Sequence, residues 1–116
     1  IASTTYLEHI PGELVGQFHL AGHTHCGTYL FDTHSAQVID EVWALYRRAL
    51  QRWGPVATLI EWDEDIPSFA RLAEEADTAR VIYETQFLVS SSKFQVNLKP
   101  ETRNQKLVHG IPINVR

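Results

Sequence analysis

Residues 15–34 read VGQFHLAGHTHCGTYLFDTH, and residues 55–65 read PVATLIEWDED. Each begins as a short apolar run after turn residues. Leu14–Ala21 carries Val15, Phe18 and Leu20 in a pattern that fits a strand, and Val56–Trp62 is short, continuous and apolar. Between them, Asp40–Trp53 (DEVWALYRRALQRW) places Val42, Trp43, Leu45, Tyr46, Ala49, Leu50 and Trp53 at three- and four-residue spacing. That spacing is the stripe of an amphipathic helix. Asp40 is expected to N-cap it, with Glu41 in the first turn and Arg47, Arg48 and Arg52 in the last turns. Gly54 and Pro55 then end it. Strand, loop, helix, strand in this span predicts a βαβ unit with parallel strands and a right-handed crossover.

Outward from this unit, Thr5–Ile10 reads as the last turns of a helix stopped by Pro11 and Gly12. On the other side Pro67 is expected at the first position of a further helix. Its stripe would be Phe69, Leu72, Ala73, Ala76 and Ala79, and it would fade between Arg80 and Val89. From Ser90 the chain turns polar, although Phe94, Val96 and Leu98 alternate and fit a short strand. The expected organisation is therefore residues 1–89 as part of an α/β domain and residues 90–116 as a polar tail, either a short strand or disordered.

The chain has 116 residues and a net charge of −4, with a pI near 5.8. Its size suits one domain or part of one. The acidic balance offers no footprint for nucleic acid. No apolar run approaches the roughly 20 residues needed to span a bilayer, and the N-terminus has none of the features of a secretory signal. Cys26 is the single cysteine, which excludes an intrachain disulfide framework and makes a reducing cytoplasm the expected location. The absence of methionine, even at position 1, and the opening on a helix end suggest a segment of a longer protein.

The candidate chemistry lies where the two strands stop. Both faces of a parallel strand are ordinarily covered, so the polar residues Gln17 and His19 need a reason. A buried His19 near the C-terminal end of its strand would face the rim where α/β folds place their sites, although a lone histidine there is more often a core group bonded to a carbonyl. His23, His25 and Cys26 follow in a loop, Gly22–Ala36, that is longer than the usual two to six residues. They allow a zinc site or a merely polar loop, and their spacing fits no usual paired-ligand pattern. In Asp32-Thr33-His34 alternate side chains could reach one ion, Asp32 could instead orient His34, or the triplet could be turn chemistry. Glu61 ends an apolar strand, where a carboxylate is costly unless paired, protonated or metal-bound. Asp63 and Asp65 follow, and either could simply cap the next helix. Adjacent strands lie less than 5 Å apart, so His19 and Glu61 should converge. Mixed imidazole and carboxylate donors suit iron, manganese or zinc, and with open positions they suit non-heme iron chemistry with oxygen.

VGQFHLAGH, FDTHSAQVIDEVWALYRRAL and GPVATLIEWDEDIP, in that order, resemble the C-terminal part of the multinuclear non-heme iron-dependent oxidative enzymes. The resemblance covers roughly Tyr6 to Ala79. It implies the last two βα units of a TIM-like (β/α)8 barrel of the sugar-isomerase type. It also implies two or three iron ions at the barrel mouth and O2-dependent oxidation of cysteines in ribosomally made precursor peptides, often with a leader-binding partner protein. Carried over by position, His19, Asp32, His34 and Glu61 would be metal ligands. His23 and Asp63 match further residues of the same blocks and would have a role at the site, taken as catalytic. The family's earlier strands and their ligands have no counterpart here, so this chain alone would not hold the full cluster. A non-catalytic zinc- or copper-binding module and an inactive truncated remnant are the alternatives.

Overall fold

The structure, a computed structural model, describes residues 2–92 and 113–115. In order these are α1 (Ser3–His9), a 3-10 turn (Gly12–Leu14), β1 (Gln17–Ala21), β2 (Thr24–His25), β3 (Leu30–Phe31), α2 (Asp40–Trp53), β4 (Ala57–Glu61), α3 (Phe69–Ser92) and β5 (Ile113–Val115). β1, β4 and β5 form a parallel sheet in the order β1-β4-β5. β1 and β4 pair in the register Gln17↔Ala57 to Ala21↔Glu61. The protein is thus α/β, with a parallel sheet and packed helices. Among the described residues, no helix is long and apolar enough to cross a membrane.

Strand residues alternate between faces, and that alternation divides the molecule. Phe18, Leu20, Thr58 and Ile60 point toward the helices. The Phe18 ring meets Tyr46 edge-on at 6.0 Å and Trp53 at 5.8 Å. Ile60 is 0% exposed and Leu50 1%, in one core cluster with Trp43 and Tyr46 of α2 and Leu72 and Ala76 of α3. Tyr46 and Thr58 share a hydrogen bond of 3.0 Å between helix and strand. The opposite face carries Gln17, His19 and Ala21 from β1, and Ala57, Leu59 and Glu61 from β4. That second face positions the site.

The element ends differ from expectation in four places. Leu14 belongs to the 3-10 turn, held by Leu14 N–H to the Pro11 carbonyl at 3.1 Å, so β1 begins later, at Gln17. α2 occupies the expected residues, but Ile39, not Asp40, is its N-cap, and no side chain caps it. Asp40 lies instead in the first turn, where its charge still favours the positive end of the helix. Pro67 precedes α3 rather than opening it. Ser68 holds the cap: its carbonyl accepts from Leu72 N–H at 3.1 Å and its hydroxyl from Arg71 N–H at 3.3 Å. Finally, α3 runs to Ser92, because no glycine or proline interrupts it. Phe69, expected in its apolar stripe, is 81% exposed. The alternating Phe94, Val96 and Leu98 lie outside the described residues, while β5 comes from the same tail.

Candidate metal centre

Glu61 is the last residue of β4, and its side chain is only 11% exposed. Its two oxygens point to two different histidines. His19 Nδ1–H donates to Glu61 Oε2 at 2.7 Å, and His34 Nδ1 lies 3.5 Å from Glu61 Oε1. The register explains the first contact: Ala21 is opposite Glu61, and His19 stands two residues back on the same face. His19 is not buried as expected, its side chain being 45% exposed, because the helices cover the other side of β1. Its Nε2 faces Gln17 Oε1 at 3.0 Å. Gln17 therefore belongs to the site's surroundings, and the legible signal was its two-residue spacing from His19.

His34 comes from the loop after β3. Its Nε2 lies 2.8 Å from Asp32 Oδ1 as an ion-pair contact, and its Nδ1–H donates to Asp63 Oδ2 at 3.3 Å. Asp32 is 85% exposed at the side chain and reaches the outer edge of the ring. The His34 backbone is left-handed, with φ 49°, a region that residues other than glycine seldom occupy. Its carbonyl accepts from Asp63 N–H at 2.8 Å, so the two site loops are tied to each other. Burial alone would lower the His34 pKa. The hydrogen bond to Asp63 and the negative charges of Asp32, Glu61 and Asp63 outweigh it, leaving the pKa raised above 6.5.

Among the described residues, His34, Glu61 and Asp63 each offer a ligand atom within 4.8 Å of the others. One imidazole and two carboxylates are the donor types that suit a non-heme divalent ion. Two carboxylates crowded on one imidazole form a concentration of negative charge that a cation would relieve. The residues present therefore fit a metal ion. His19 and Asp32 flank this group through Glu61 and His34. His23 is half-buried just past β1, and His25 Nδ1 accepts from Gly27 N–H at 3.2 Å. Cys26 is exposed on the β2–β3 hairpin. His23, His25 and Cys26 are not part of the converging group.

Fold and site together define an α/β protein whose imidazole and carboxylate groups gather where two adjacent parallel strands give way to loops. The chain belongs to the family described as RiPP precursor modification enzyme MbnB/TglH/ChrH, which matches residues 1–84. A UPF0276 protein of Acaryochloris marina is 53% identical over 74 residues, covering 64% of this chain and 27% of the relative. One of a Caulobacter species is 48% identical over 81 residues, covering 67% and 29%. One of an Anaeromyxobacter species is 46% identical over 74 residues, covering 64% and 26%. The chain thus spans under a third of the length of these curated relatives. No solved structure matches it.

Proposed function

We propose that this chain is a share of an iron- and O2-dependent oxidase that modifies cysteine residues in ribosomally made precursor peptides. The strand–helix–strand unit would be about the last two βα units of a (β/α)8 barrel of the sugar-isomerase type. The whole would work in the cytoplasm with two or three irons, and with a partner protein that presents the peptide leader. The observation that carries the reading is the convergence of His34, Glu61 and Asp63, beside His19 on Glu61, in a chain of the precursor-modifying family.

His19, Asp32, His34 and Glu61 form the proposed ligand set, and Asp63 offers a further carboxylate. Iron held by such donors with open positions would supply the reaction with O2. Asp32 Oδ1 lies 2.8 Å from His34 Nε2, while Nδ1 on the other side of the ring faces Glu61 and Asp63. Glu61 Oε2 accepts from His19 Nδ1–H, which fixes the carboxylate and aims Oε1 at His34. Without metal, Asp63 Oδ2 accepts from His34 Nδ1–H; an ion held at Nδ1 would take the place of that proton. His23 is proposed to act on the peptide beside this group. A zinc- or copper-binding module using Cys26 has less support, since that thiol is not among the converging ligand atoms.

The test is iron(II) uptake by the 116-residue chain and by its His34→Ala and Glu61→Ala variants, measured anaerobically by equilibrium dialysis. Near-stoichiometric binding that both substitutions weaken by about 10-fold or more is the expected result. Binding indifferent to both, or selective for zinc and lost in Cys26→Ser, would overturn the assignment.

A further inference from the structure

His34 holds an unfavourable backbone conformation on a loop, and its imidazole must nevertheless face Glu61 and Asp63. Such conformations persist where surrounding structure over-determines them. Two anchors grip the residues just downstream. On one side lies Gly22, at the end of β1. A Cβ there would stand 2.1 Å from the Ala36 carbonyl oxygen and 2.4 Å from that of Gln37, so the backbones of the two segments are in direct contact. On the other side lies α3. Val38 N–H donates to Glu75 Oε2 at 3.1 Å, and Arg71 Nη2 donates to Glu75 Oε1 at 2.5 Å and to Gln37 Oε1 at 2.9 Å. Glu75 is 4% exposed. A carboxylate so buried persists only if paired and hydrogen-bonded, and here one oxygen is used on Arg71 and the other on the loop backbone.

We infer that Glu75, braced by Arg71, is a positioning residue for the His34 loop: it pins the segment 37–38 against the end of β1 and thereby sets His34 relative to Glu61 and Asp63, touching none of them. Its bearing on a metal rests on the reading of that cluster as a metal site; the latch itself does not.

Backbone amide exchange followed by NMR on the metal-free 116-residue chain tests it. In Glu75→Ala, exchange at Val38, Asp63 and Glu64 is expected to accelerate about 10-fold while Leu59 and Ile60 of β4 hold their rates, the mark of local rather than global opening. Glu75→Gln, which keeps an acceptor for Val38 N–H, should restore most of the protection. Manganese(II) affinity, read by electron paramagnetic resonance, should fall about 10-fold in Glu75→Ala and recover in Glu75→Gln. Unchanged exchange at Asp63 and Glu64, or equal acceleration at Ile60, would overturn the latch. If Glu75→Ala fails to fold, Gln37→Ala, at an exposed residue, is read at the same amides, and no local acceleration there overturns it equally. A wild-type chain that takes up no manganese counts against the metal reading, while the exchange rates still decide the latch.

Discussion

His34 meets more negative charge than any other histidine in the site, and the consequence can be measured without a metal. Its pKa is raised in the folded state by the hydrogen bond to Asp63 and by three nearby carboxylates, against the opposing effect of burial. A group raised in this way adds stability that is fully present below its unfolded pKa of 6.5 and is lost as pH rises through the folded pKa. The urea midpoint of the metal-free chain should therefore fall as the solution is taken upward from about pH 6. His34→Gln should flatten that decline; equal slopes in both proteins would contradict it. Gly22 makes a second prediction at this scale. Alanine there drives a Cβ into backbone rather than into a yielding side chain, so a loss of about 1–3 kcal/mol or more is expected by urea unfolding. Gly16→Ala, with nothing within 4 Å of the added atom, is the matched control and should lose far less. Both HLAGH histidines stand out in the sequence, while the glycine between them does not, because its role depends on where residues 36 and 37 return. Glu75 was more accessible to sequence reasoning: it falls on the stripe of Leu72, Ala76 and Ala79, where a charge needs a partner.

Among the elements, α2 was the most legible, its residues being Asp40–Trp53 as the periodicity predicts. Its signals are local: a continuous stripe, and Gly54 at φ 78° accepting the left-handed turn that ends it. The β2–β3 hairpin was hidden, since two-residue strands are too short to show alternation. The parallel pairing of β1 with β4 followed from the connecting helix, but the exposure of His19 did not, because a sequence does not say which face the helices cover. The α2–sheet contact yields its own test. Leu50→Ala should cost about 2–5 kcal/mol, since Leu50 is 1% exposed in the core cluster. Tyr46→Phe should cost only about 1 kcal/mol, because the Thr58 hydroxyl keeps its bond to the Val56 carbonyl at 3.2 Å. Comparable losses in thermal unfolding of the two variants would show that the hydroxyl pair, not apolar burial, fastens α2.

At the scale of the molecule, the βα core is well covered on its helical side, yet Tyr6, Leu14, Phe69 and Val81 are all more than 60% exposed. The chain matches under a third of the length of its curated relatives. The proposed metal should add to the stability of the folded state. A ligand that binds only the folded state at 100 times its Kd adds about 2.7 kcal/mol. Iron(II) or manganese(II) should raise the melting temperature reversibly, chelator should return it, and Glu61→Ala should remove the effect. The contacts that the first 27 residues make with the rest of the chain have a practical consequence as well. β1 and β4 pair directly, and Arg48 and Arg52 of α2 both bond Glu8 of α1, whereas the hairpin tip at Gly27 and Thr28 is exposed. A protease cut at that tip would sever the chain without severing either tie. Fragments 1–27 and 28–116, produced separately, should thus find each other in solution, so that this segment could serve as a split reporter.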